Sequence, residues 1–228
     1  MAGHRAEDEE TTPGEPGGRL SGSTRVEAFS DGVLAIAITL LVLDLHAPAG
    51  GDMLHELLQQ WPAYLAYLAS FGYIGVIWVN HHQLFTRLAA VDLGLLWRNL
   101  GLLLGTSVLP FPTAVLSSAF RNGSRSNEII ASVFYLVIAA FMSFSWLILF
   151  HYLATHERLL ARDTPASFFV QERRRALLGV LGYLLAAPVA LWQPLASLVI
   201  ICVLPVFYGA TSEGWARTRN RNVSGPWP

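Results

Sequence analysis

Six apolar stretches, each near the about 20 residues that a helix needs to cross the hydrocarbon of a bilayer, fix what this chain can fold into. They run from Thr24 to Leu45, Trp61 to His81, Asp92 to Leu116, Ile129 to Leu153, Ala176 to Trp192 and Leu195 to Ser212. The fifth is short and adjoins the sixth across Gln193-Pro194, a pair suited to a tight turn, and a five-span count is the competing reading. Of the 228 residues, 53% are hydrophobic and only 14% charged, with a mean hydropathy of +0.44. The core of a water-soluble domain this size does not need that balance, so lipid must cover much of the surface. The expected fold is all-α, a polytopic membrane protein with six transmembrane helices over residues 24–212.

Residues 1–23 hold Glu7, Asp8, Glu9, Glu10 and Glu15 among prolines and glycines. Such a segment buries too little apolar surface to fold, and it reads as a disordered cytoplasmic tail. Residues 213–228 read as a second cytoplasmic tail. Ala47-Pro48-Ala49 resembles a small-residue cleavage site. A leader ending there would be long and acidic and would carry Asp31 and Asp44 in its apolar part, so a retained span is the better reading.

Short cytoplasmic loops accumulate Arg and Lys, and every basic residue here is Arg. Placing both termini inside puts thirteen arginines on the cytoplasmic side and leaves only Arg121 and Arg125 outside. Trp61, Trp78, Trp97, Trp192 and Trp215 then fall near span ends, where aromatic belts sit. The expected location is the cell membrane.

The net charge of -1 argues for no nucleic-acid partner, and the single Cys202 allows no internal disulfide. His151 and His156 are five apart, poor spacing for two ligands on one metal. Nucleophile elbows, phosphate-binding glycine loops and zinc-protease motifs are missing from the sequence. No enzymatic activity, cofactor or metal is expected. Gly72-Tyr73 lies mid-span, without the loop sequence of a carbonyl filter. Pro110-Phe111-Pro112 removes two backbone donors and should kink or end the third span near its outer side.

In the first span, a turn of about 100° per residue places Gly32, Ile36, Thr39, Leu40 and Leu43 on one stripe, with Asp31 pointing away. An apolar stripe with one hydroxyl ordinarily packs against another helix. Ionisable groups inside spans tend to face protein or water. Asp31 and Ser30, His81 or His82, and Arg98 all fall in the cytoplasmic leaflet of spans 1 to 3, and one buried polar network joining them is expected. Headgroup solvation of the histidines and Arg98 is the competing reading.

Arg25-x-x-x-Phe29-Ser30-Asp31-Gly32-Val33, followed by Ala35-Ile36 and Thr39-Leu40-Leu41-Val42-Leu43, closely resembles the first-helix signature of the transmembrane protein 175 family of potassium channels. Trp78-x-x-His81-His82-x-x-Phe85, Leu96-Trp97-x-Asn99-Leu100 and Pro110-Phe111-x-Thr113 are similar to that family too. The resemblance implies a channel without a carbonyl filter, in which the first helix of each subunit lines a central pore. Ile36 would then be the narrowest gate residue, Leu40 and Leu43 further apolar rings, and Thr39 a hydroxyl ring contributing to potassium preference. Arg25, Phe29, Ser30 and Asp31 would belong to the signature whose polar members make helix contacts. One six-span unit per chain resembles the bacterial forms and implies a homotetramer. The partners implied are potassium ions and the lipid bilayer. A rival reading is a proton-linked secondary transporter with Asp31 and His81 or His82 as a relay.

Overall fold

A computed structural model describes residues 20–48 and 50–211; both expected tails and Trp215 lie outside the described residues. Among the described residues eight α-helices follow one another: α1 Leu20–Leu40, α2 Met53–Gln59, α3 Trp61–Phe85, α4 Leu93–Val108, α5 Pro110–Asn122, α6 Arg125–Ala154, α7 Ala166–Trp192 and α8 Pro194–Thr211. A one-turn 3₁₀ segment, Leu41–Asp44, continues α1. Ser23–Asp44, Trp61–Phe85, Leu93–Arg121, Arg125–Thr155 and Ser167–Trp192 are long and apolar enough to cross a bilayer. The sixth apolar helix, α8, has 18 residues and rises about 27 Å, slightly less than the about 30 Å hydrocarbon layer. It packs along α7 and α3.

Several boundaries differ from the sequence expectation. The first helix begins at Leu20 instead of Thr24. The second span continues to Phe85, so that His81 lies a turn inside its end. The fifth is not short, because helix α7 starts ten residues before Ala176 and carries Glu172 and Arg173 to Arg175 in its early turns. Hydropathy marks only the apolar part of a helix, and these polar turns extend past it. The short α2, between α1 and α3, has no expected counterpart; Asp52 caps it by accepting from the His55 amide at 3.2 Å.

Pro110 divides the third span as expected. The Leu109 amide bonds to the Thr106 carbonyl at 3.2 Å, and the ladder resumes from the Thr113 amide to Leu109, also at 3.2 Å. The Thr113 hydroxyl donates to the same carbonyl at 2.8 Å. The Leu109 amide thereby serves the Thr106 carbonyl that Pro110, lacking an N–H, cannot, and such local adjustment keeps a proline-broken helix viable within a bilayer.

Helix α6 packs against α4, α5 and above all α7, while α1 lies against α3 and α4. Close approach of α4 to α6 needs Gly105, because a Cβ there would stand 2.8 Å from Met142 Cγ. At one end of the bundle the loop after α3 pairs with the loop after α6. The Ala89 amide donates to Leu159 at 2.8 Å and the Ala161 amide to Arg87 at 2.9 Å, with Leu88 and Leu160 in an antiparallel bridge. The Arg87 guanidinium lies 4.1 Å from the centre of the Phe168 ring, joining α7 to the same junction.

Candidate functional site

Helix α1 divides into two faces. Ser30, Leu34, Ala37 and Leu41 are buried against the bundle at spacings of four, three and four, the signature of one helical stripe. Gly32, Ile36, Thr39, Leu40 and Leu43 point away from it. Ile36 is 62% exposed and Leu43 72% exposed, and Arg25 and Phe29 share that outward side. The 3₁₀ turn tightens the helix at Leu41 but leaves Leu43 outward. The Thr39 hydroxyl bonds back to the carbonyls of Ala35 and Ile36, both at 2.9 Å. Its one proton is thereby used, and its lone pairs are left for the outward side.

The buried face carries a hydrogen-bonded chain across three helices. His81 Nε2 donates to Asn99 Oδ1 at 3.0 Å, Asn99 Nδ2 donates to Ser30 Oγ at 2.9 Å, and the Ser30 hydroxyl donates to the Val26 carbonyl at 2.8 Å. All three side chains are buried, with His81 and Ser30 fully enclosed. The direction follows from the Val26 carbonyl, which only accepts, and it fixes His81 as the Nε2–H tautomer. Nδ1 of His81 is buried and has no hydrogen-bond partner among the described residues. His81 also stacks on Phe85, with ring centroids 4.3 Å apart.

The single network expected from sequence therefore separates into parts. Asp31 accepts from Trp78 Nε1 at 3.1 Å, and His82 pairs with Glu27 at 3.0 Å, more than half exposed. Arg98 turns to the opposite side of α4. Its NH1 group donates to the Gly94 carbonyl at 2.7 Å, and its guanidinium stands 3.8 Å from the Tyr152 ring centre on α6. Successive residues on a helix point about 100° apart, so Arg98 and Asn99 cannot both face α1. Leu95, Asn99, Leu102, Leu103 and Thr106 form the buried face of α4, and that spacing was the available signal that Asn99 is the inward member. Trp78 and Glu27 were missed as partners because nothing in their local sequence sets a contact with another helix.

Asp92 holds the same end together. It caps α4 through the Leu95 amide at 2.9 Å, accepts from the Tyr152 hydroxyl at 2.9 Å, and pairs with Arg158 at 3.2 Å. Partial burial pushes its carboxyl up; the Leu95 amide, Tyr152 hydroxyl and Arg158 guanidinium together outweigh this and hold it below the usual carboxylate range. Among the described residues, no three His, Cys, Asp or Glu side chains cluster as a metal site would require. His156 instead stacks on Tyr152, ring centroids 3.9 Å apart.

Taken together, the helices and the polar seam define an all-α polytopic membrane protein whose first helix gives one face to its own bundle and leaves the other uncovered. Residues 25–110 match the family model described as "Endosomal/lysosomal potassium channel TMEM175", a stretch spanning α1, α3 and α4, which hold the His81–Asn99–Ser30 chain. A potassium channel of Streptomyces collinus is 40% identical over 193 residues, covering 83% of this chain and 93% of that protein. The Homo sapiens protein named as an endosomal/lysosomal proton channel is 42% identical over 85 residues, which is 17% of its length. The crystal structure of a lysosomal potassium-selective channel TMEM175 homologue from Chamaesiphon minutus superposes with a TM-score of 0.72 at 31% identity, covering 82% of this chain and 95% of that one. The chain belongs to the transmembrane protein 175 family of ion channels.

Proposed function

We propose that the chain is a potassium-permeable, leak-type channel of the cell membrane, with both termini cytoplasmic, in which four copies bring their α1 helices together around a central pore. The observation that carries this reading is the uncovered face of α1. It presents Ile36, Leu40 and Leu43 to the outside of the protomer while the opposite face is sealed into the bundle. In the proposed assembly Ile36 forms the narrowest ring, and an apolar ring blocks ions by dewetting until it widens. Thr39 sits one turn from Ile36 with its hydroxyl proton directed into its own helix, which suits an oxygen that accepts a partly hydrated cation. Arg25 and Phe29 begin the same face, and the Ser30–Asn99–His81 chain holds α1 in register behind it. The relatives named as potassium channels support the choice of ion.

Planar bilayers with a potassium gradient on one side and sodium on the other test this reading. Stepwise currents are expected, with a reversal potential displaced toward the potassium equilibrium value, and Thr39→Ala should move it back toward zero. Saturable solute transport with no stepwise current would overturn the channel reading. It would favour the relay of Asp31 with His81 or His82, a pair that is not hydrogen-bonded here.

A further inference from the structure

An open groove of about 610 Å³ runs between α4, α6 and α7 at the end of the bundle where the loops after α3 and α6 meet. Its charged lining is basic, with Arg98 and Arg173 beside His151 and His156, and no carboxylate among the described residues lines it. Its remaining wall is mostly apolar, with Phe144 and Leu177 running toward the middle of the bundle. Two nearby carboxylates are engaged elsewhere, while Glu157, next to His156, is exposed. Asp92 serves Leu95, Tyr152 and Arg158, and Glu172 is paired with Arg175 at 2.6 Å.

Arg98 is already oriented for a ligand. Stacking on Tyr152 and the bond to the Gly94 carbonyl fix the guanidinium plane. A guanidinium has five donors arranged to meet a phosphate; NH1 of Arg98 serves Gly94 and its Nε is buried, so a ligand in the groove would be met by the remaining NH2 group. Arg173 is exposed on the facing helix. His156 uses Nδ1 toward the Tyr152 carbonyl at 2.9 Å, so its Nε2 remains directed elsewhere.

A basic rim above an apolar wall, lying beside membrane-spanning helices, matches one molecule in shape and charge. We propose that the groove binds an anionic phospholipid, with the phosphate between Arg98 and Arg173 and an acyl chain along Phe144 and Leu177. The bound lipid bridges α4, α6 and α7 at the end where α1 begins. Anionic lipids are enriched in the cytoplasmic leaflet, the side to which the arginine distribution assigns this end.

Native mass spectrometry of the purified assembly, with phosphatidylglycerol and phosphatidylcholine supplied in equal amounts, tests the site. Phosphatidylglycerol adducts should predominate, and Arg173→Gln should reduce them about fivefold. Leu177→Trp should reduce them as well, by filling the wall without altering charge. Arg125→Gln, at the opposite end, should leave them unchanged. Arg173→Gln is an exposed change that tests the site even where Arg98→Gln impairs folding. Equal retention of the two lipids, or unaltered retention in both Arg173→Gln and Leu177→Trp, overturns the proposal. Displacement of the lipid by millimolar inorganic phosphate identifies a soluble-anion site instead. Crosslinking of Arg173→Cys to a neighbouring copy identifies a subunit contact, and either result overturns it.

Discussion

Replacing Ile36 by alanine is expected to raise potassium current through the reconstituted protein by about an order of magnitude, with little loss of stability. Ile36 is 62% exposed in the protomer, so truncating it opens no cavity within the bundle. In the proposed assembly the four side chains form the apolar constriction, and shortening them wets it. Lowering a permeation barrier by about 1.4 kcal/mol raises the rate about tenfold. Leu34→Ala supplies the contrast from the other face of the same helix. Leu34 is 2% exposed, and its truncation is expected to destabilise the fold by about 2–5 kcal/mol without a matching rise in current per open channel. Single-channel recording together with thermal unfolding in detergent distinguishes the two. An Ile36→Ala channel with unaltered conductance removes Ile36 from the gate.

Asn99→Leu should be the most destabilising single change in the polar seam. It removes both bonds that Asn99 makes, leaving His81 Nε2 without its acceptor and Ser30 Oγ with only its bond to the Val26 carbonyl. His81 Nδ1 already has no partner among the described residues. An unpartnered buried polar group costs about 1–3 kcal/mol; with that cost in full for His81 Nε2 and in part for Ser30 Oγ, a loss of roughly 2–4 kcal/mol is expected. Asp31→Ala should cost less, because the Asp31–Trp78 bond is exposed and water can replace it. Thermal unfolding of the solubilised assembly ranks the two variants. A larger loss for Asp31→Ala than for Asn99→Leu would mean that the seam is held mainly through Trp78.

The first helix was the most legible part of the chain. Its 3.6-residue phase sorted Gly32, Ile36, Thr39, Leu40 and Leu43 onto one side, and those residues do point away from the bundle. The same phase, applied to α4, would have separated Arg98 from Asn99. An arginine in an apolar span draws attention through its charge, whereas the buried position belongs to the neutral amide that makes two interhelical bonds. Choosing His81 over His82 likewise needed the orientation of α3, since adjacent histidines have equal chemistry and opposite surroundings. The early turns of α7 were hidden for a different reason. Arg173 and Arg174 are exposed while Glu172 is buried through its pairing with Arg175, so a helical segment that hydropathy counts as a loop is held by packing and an ion pair. Pro110 was readable because losing a backbone donor affects the helix wherever the chain runs.

The convergence of α1 helices from separate copies is tested most directly by a cysteine at Ile36, with Cys202 changed to Ser so that no other thiol remains. Thiolates brought together at one ring bind a soft cation through several ligands, and micromolar cadmium should then block the potassium current of Ile36→Cys reversibly. Ala37→Cys, on the face buried against the bundle, should conduct without block. Current through Ile36→Cys that ignores cadmium, or block in Ala37→Cys instead, would contradict a pore lined by the outward face of α1.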